Sequence, residues 1–176
     1  KRVKDVAGLS LLKLFVGSEG TLGVVTRAIL RLVPGQQPPA TVVATFPSVA
    51  VAADAVIALG RTVRASMVEL MDHGSINAVE DHSPMGLNRD AGALLLIQSD
   101  APSAARADEV AAAVAACEGA GASEVFATDD PAEGEMFVRA RRLHFTALEA
   151  RGHVLPEDVG VPVPQLVYGS QLEKVT

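Results

Sequence analysis

The stretch Ala40-Thr41-Val42-Val43-Ala44-Thr45-Phe46-Pro47-Ser48 decides how this chain folds. Its first seven residues are β-branched, small or aromatic, which suits a strand, and Pro47 cannot continue the ladder. Ser48 then offers a hydroxyl to cap a helix running to Leu59. Val49, Ala52, Ala53, Val56 and Leu59 share one face of that helix. Gly60 stands where a left-handed C′ residue is expected.

Outward from this strand–helix pair, the same alternation repeats. Met67 to Met71 reads as a strand, followed by a short helical segment through Ile76 and Val79. His82 to Gly92 is polar and carries Pro and Gly, the composition of a loop. Ala93 to Ser99 is an aliphatic run of strand length, and Ser103 to Glu118 an Ala-rich helix with Val110, Val114 and Cys117 facing inward. Val125 to Thr128 is a short strand. Asp130, Pro131 and Glu133 form a helix-start signature, with an N-cap, a proline at N1 and an acid at N3. That helix runs to about Ala150, and Gly152 ends it. Val154 to Val163 reads as a last strand broken by Pro156 and Pro162. Two split β-α-β units account for this order, predicting an α+β, ferredoxin-like antiparallel sheet with helices mainly on one face.

Toward the N-terminus, Gly35-Gln36-Gln37-Pro38-Pro39 is the best domain boundary in the chain. Before it, Leu22 to Val33 reads as a long strand, with Ala28, Leu30 and Leu32 alternating against Arg27 and Arg31. The chain opens Lys1-Arg2-Val3-Lys4 without Met, so a piece of a longer protein is expected.

Composition narrows the function. The 176 residues are 49% hydrophobic and 20% charged, a balance suited to a folded core. Fifteen Lys and Arg against 21 Asp and Glu leave a net charge of −6, which opposes nucleic-acid binding. No Trp and one Tyr leave little stacking surface for single strands. A single cysteine, Cys117, excludes an internal disulfide and fits a reducing, cytoplasmic compartment. The aliphatic runs are too short for a transmembrane segment.

The sharpest local feature is Val16-Gly17-Ser18-Glu19-Gly20-Thr21-Leu22-Gly23-Val24-Val25-Thr26. Its glycines, three residues apart, permit positive φ and let bare backbone approach a ligand. It is neither a Walker loop nor a dinucleotide fingerprint, since no Gly-Lys-Ser/Thr and no Gly-x-Gly before a helix is present. On the residues alone, a structural turn and a ligand-facing loop both remain open.

Together with Leu11-Leu12-Lys13-Leu14-Phe15, this segment resembles the signature of FAD-linked oxidases of the glycolate oxidase, D-lactate dehydrogenase and D-2-hydroxyglutarate dehydrogenase kind, within the vanillyl-alcohol oxidase superfamily. The resemblance continues through Thr45-Phe46-Pro47-Ser48, Glu69-Leu70-Met71-Asp72, Arg141-Arg142 and Glu157-Asp158-Val159. It implies that residues 1–35 are the C-terminal remnant of an FAD-binding domain, ending on its last strand. Residues 40–176 would then be a truncated C-terminal substrate domain, although Val167 to Thr176 depart from the family's continuation. It further implies flavin contact at Gly17, Ser18, Glu19, Gly20, Thr21, Gly23 and Val25, with FAD held by the intact parent rather than by this piece alone.

The helix from Pro131 carries the other candidates. Glu135, Arg139, Arg142, Thr146 and Glu149 fall on one face. A solvated stripe with Glu135 paired to Arg139 is one reading, and Arg142 as a bidentate carboxylate clamp is the other. In the 2-hydroxyglutarate branch, an Arg and a Thr at this spacing resemble Arg142 and Thr146 and contact substrate. The Lys that follows them in that branch is Glu157 here, which argues against a dicarboxylate.

Glu69, Asp72, His73, Glu80, Asp81 and His82 are dense in metal-capable side chains, but no zinc-type spacing is present and no metal is expected. His144 and His153 read as packed or solvated, and Cys117 as a buried inert thiol. The resemblance therefore implies an FAD-dependent enzyme oxidising a small 2-hydroxy acid. A non-catalytic α/β binding or dimerisation module is the alternative. The apolar segment before Gly35 would favour association into a homo-oligomer.

Overall fold

The computed structural model describes residues 8–32, 35, 37–155 and 160–166. They divide into two compact units, Lys1–Gly35 and Gln36–Thr176.

The first unit holds one short helix, α1 (Leu11–Phe15), whose start is capped by Ser10 Oγ accepting the Lys13 N–H. The long strand expected from Leu22 does not form a ladder among the described residues; 24–32 run on without regular structure. A strand is defined by its pairing, and β-propensity alone cannot supply a partner. Val24, Ile29, Leu30 and Leu32 are accordingly 78–91% exposed.

The second unit is built on strands β1 (Ala40–Phe46), β2 (Met67–Asp72), β3 (Ala93–Ser99) and β4 (Glu124–Thr128). Their order is β2-β3-β1-β4, and every pairing is antiparallel. Helices α2 (Val49–Thr62), α3 (His73–His82), α4 (Ser103–Ala120) and α5 (Pro131–Glu149) connect and follow them. This is the α+β, ferredoxin-like sheet predicted from the alternation of elements.

Helix placement departs from the expectation of one covered face. The crossover helices α2 and α4 pack on the face carrying Val42, Ala44, Phe46, Leu95 and Ile97. The opposite face, with Val43, Met71, Leu94 and Leu96, is covered by α3 and α5 through Ile76, Val79, Val138, Ala140 and Ala147. β1 and β3 are apolar on both sides, so a single helical layer would leave half their side chains in water. Burying each face contributes roughly 25 cal/mol per Å² of apolar surface removed from water.

The start signals read at Ser48 and Asp130 hold, and Asp72, which was not read as a cap, supplies a third. Ser48 caps α2 through Val51 N–H, Asp72 caps α3 through Ser75 N–H at 2.7 Å, and Asp130 caps α5 through Ala132 N–H at 2.8 Å. Glu133 takes the Thr128 hydroxyl rather than closing a box onto the cap. Gly60 does not end α2, which runs on to Thr62 with Val63 as C-cap. The left-handed terminator is instead Gly121, at φ 98° after α4.

Two glycines are demanded by close approach. A Cβ on Gly92 would lie 2.1 Å from the Pro47 carbonyl oxygen, and one on Gly134 would lie 2.5 Å from Thr41 Oγ1. The second contact is where α5 is seated directly on β1.

The last expected strand is not formed in its described parts. Residues 153–155 and 160–162 are irregular, and Val163–Gln165 form a short 3₁₀ turn. Pro162 and Pro164 remove ladder donors there. Pro156 to Val159, including Glu157, lie outside the described residues, as do Lys1 to Ala7 and Val167 to Thr176. Among the described residues, no helix is long and apolar enough to cross a membrane.

Candidate functional site

In the first unit, the glycine segment is a chain of tight turns. Gly17 and Gly20 stand at φ 84° and 81°, and Glu19 between them is the one described non-glycine residue with positive φ, at 49°. Ser18 N–H donates to the Phe15 carbonyl, and Thr21 closes the next turn with its N–H and its hydroxyl on the Ser18 carbonyl, at 2.9 and 2.6 Å. A Cβ at Gly17 or Gly20 would meet open space. Packing within the chain does not demand glycine there; the backbone conformation does. Ser18 is half-buried, while Gly17, Glu19, Gly20, Thr21, Gly23 and Val25 are exposed.

In the second unit, the α5 candidates lie along its exposed side. Arg142 Nη1 donates to Glu135 Oε1 at 2.5 Å, with both side chains more than half exposed. The partner expected for Glu135 was Arg139, four residues on. At 3.6 residues per turn, seven residues bring Arg142 to within about 20° of the Glu135 direction, against about 40° for Arg139. Among the described residues, Arg139 has no ion pair. Thr146 is exposed, one turn beyond Arg142. The glycine segment and this arginine belong to different units.

Three polar arrangements on α3 and α5 escaped the sequence reading. Arg141 Nη2 meets Glu69 Oε1 of β2 at 3.1 Å. Ser75 Oγ and His144 Nε2 are 2.9 Å apart, tying α3 to α5. Glu80 is 5% exposed, and its Oε1 accepts the Met85 and Leu87 N–H groups at 2.9 Å each. A buried carboxylate needs such charge-assisted bonds, and here they shape the loop after α3. Spacing could have suggested that Ser75 and Arg141 face a neighbour, but not which one.

The acidic and histidine-rich run around α3 is structural. Asp72 is a cap, His73 Nδ1 lies 3.0 Å from the Ala91 carbonyl oxygen, and Asp81 binds Arg89 and Arg151. The Arg89 hydrogen bond first, then that of Arg151, holds the Asp81 carboxyl below its ordinary value of 3.8. No group of three metal-capable side chains converges among the described residues. Cys117 is fully buried, and desolvation pushes its thiol up to about 11, so it is inert at neutral pH.

The sheet order defines a ferredoxin-like α+β domain with its crossover helices on one face and a second helical pair on the other. Residues 36–169 match the family of FAD linked oxidases, C-terminal domain. The chain belongs to that family. It is 35% identical over 92% of its length to the glycolate oxidase subunit GlcD of Bacillus subtilis, and 32% identical over 87% to GlcD of Escherichia coli. It is also 28% identical over 84% to a D-lactate dehydrogenase of Archaeoglobus fulgidus. The chain spans about a third of each relative's length: 35%, 30% and 32%.

The glycine segment leaves its backbone open to a flat ligand such as a flavin ring. Its turns are exposed and carry no obstructing side chain at Gly17 or Gly20, leaving backbone free to lie against a flat ring. The described residues contain no glycine-rich loop at the start of a long helix that would hold a pyrophosphate.

Proposed function

We propose that this chain is part of an FAD-dependent oxidoreductase that oxidises a small D-2-hydroxy acid of the glycolate or D-lactate type. Its likeness to proteins named glycolate oxidase and D-lactate dehydrogenase over most of its length carries the reading. Residues 1–35 are the end of the FAD-binding domain, and residues 40–176 begin the substrate domain. When bound, the flavin supplies the hydride acceptor.

The residues of this chain bind and orient. Gly17, Ser18, Glu19, Gly20, Thr21, Gly23 and Val25 present backbone to the ring. Arg142 takes the substrate carboxylate through its planar fork, and Thr146 adds a hydroxyl one turn away. Its contact with Glu135 is an exposed pair, of a kind worth only about 0–1 kcal/mol, so a bidentate carboxylate can displace it. The protein works in a reducing, cytoplasmic compartment, which its single buried cysteine suits. The apolar side chains of residues 9–32 favour association between copies.

Kinetics of the intact enzyme test this. Arg142→Ala raises KM for the hydroxy acid about ten- to a hundredfold, the value of a charge-assisted bidentate contact. Arg139→Ala changes it little, and Arg142→Lys stays impaired because an ammonium lacks the fork. Equal, mild effects of both alanine variants make this face a solvated stripe and remove Arg142 from the site.

A further inference from the structure

The sheet has two outer strands, β2 and β4, and each pairs with one neighbour among the described residues. An outer strand carries backbone N–H and C=O groups on its free side that can pair with another chain. On β2 the side chains are already engaged: Glu69 is tied to Arg141, Asp72 caps α3 and Met71 is buried. On β4 they are not. Phe126, at its middle, is 46% exposed and leans on Phe137 of α5, with ring centroids 5.9 Å apart. Met136 beside Phe137 is exposed as well. An open cavity of about 480 Å³ adjoins β4 on this face, lined by Leu87, Leu94 and both rings, with Glu124 among its walls.

Charge around this edge has one sign. From 107 to 138 the sequence holds no Lys, Arg or His and eight Asp and Glu. Two of these are engaged, Asp130 as the α5 cap and Glu133 with the Thr128 hydroxyl. Glu124 and Asp129, at opposite ends of β4, are exposed and have no ion pair among the described residues. This pattern argues against a second copy as occupant. Two β4 strands paired antiparallel about Phe126 would set the Glu124 of each against the Thr128 to Asp130 end of the other, carboxylate near carboxylate.

We propose that β4 accepts an added strand from a basic protein partner: an extended segment with an aliphatic residue at its centre and Lys or Arg two residues to either side. Paired antiparallel, its backbone satisfies the free edge of β4. Its central side chain packs beside Phe126, and its two cations meet Glu124 at one end and Asp129 at the other. The backbone ladder supplies affinity and the charges supply register and choice of partner. Nothing in this surface depends on Arg142 or on the flavin.

The probe is the capped pentapeptide Lys-Val-Leu-Val-Lys, titrated into the 176-residue chain and followed by amide shifts in ¹H–¹⁵N spectra. The shifts should centre on Val125, Phe126 and Ala127. Replacing both lysines of the peptide by glutamate should weaken binding about three- to tenfold, and N-methylating its internal amides should abolish it. A double variant, Glu124→Lys with Asp129→Lys, changes two exposed positions outside the core and should reverse the preference between the two peptides. No binding, shifts centred on β2, equal affinity for the lysine and glutamate peptides, or binding that survives N-methylation overturns the proposal. So does a concentration-dependent shift of the β4 amides in the chain alone, which would make a second copy the occupant.

Discussion

The two units place apolar side chains in opposite ways. In residues 9–32, Leu9, Leu12, Val24, Ile29 and Leu32 are 74–95% exposed. In β1 and β3, Val42, Phe46, Leu95, Leu96 and Ile97 are at most 2% exposed. The hydrophobic residues are of the same kinds, so side-chain chemistry does not explain the difference. It lies in whether two surfaces are available to each strand. β1 and β3 have ladder partners on both edges and helices on both faces, whereas the described stretch from Val24 has neither. Hydrophobic character is a demand for cover, and the sequence alone does not say what supplies it.

Glycine substitutions break this comparison most sharply. Gly92→Ala forces a methyl group onto the Pro47 carbonyl and should destabilise the second unit by about 3 kcal/mol, the upper end for overpacking. Gly17→Ala meets open space and pays only the left-handed backbone penalty, about 1–2 kcal/mol, confined to its own turn. Urea denaturation followed by circular dichroism should show the main transition shifted by Gly92→Ala and unmoved by Gly17→Ala. Equal shifts would mean that the two units unfold as one.

Thiol reactivity sharpens the same contrast. With its thiol raised from 9.0 to about 11, Cys117 carries about a hundredfold less thiolate than an ordinary cysteine, and burial adds to its protection. A cysteine introduced by Val24→Cys, at a position 88% exposed, should label with Ellman's reagent immediately. Cys117 should label only as the second unit opens. Rapid labelling of both would show that the α2–α4 layer is loose.

The smallest effect is electrostatic. Asp81 has a folded value below 3.8, so its contribution to stability is present above 3.8 and lost as pH falls through the folded value. Urea midpoints followed from neutral pH to below 3.8 should fall less steeply in Asp81→Asn than in the unmodified chain. Because Asp81 is exposed, salt should shrink the difference. Parallel slopes would leave the Arg89–Asp81–Arg151 cluster without a role in the fold.

Much of the second unit was legible in its sequence. Ser48 and Asp130 occupy the caps of α2 and α5 as expected, because a capping hydroxyl or carboxylate reaches an amide two or three residues away, whereas the Asp72 cap of α3 was not anticipated. The antiparallel α+β sheet was expected from the alternation of elements. The glycine segment was equally plain, since positive φ at Gly17 and Gly20 is a property of the local backbone. Glu135 was visible as an ion-pair partner, but Arg142 rather than Arg139 received it, because the geometry of long side chains outweighs nearest spacing.

The sequence by itself determined where most elements of the second unit begin, how they alternate, which stretch needs glycine, and the family to which the chain belongs. These depend on neighbours within a few residues or on a preserved order of motifs. Only the tertiary structure decided that α3 and α5 cover the second face, that Glu80 is buried to hold a loop, and that the Thr45 hydroxyl is buried without a partner among the described residues. Each of these depends on residues far apart in the chain meeting at distances of a few ångströms. Burial and hydrogen bonding act through space, so no local pattern encodes them.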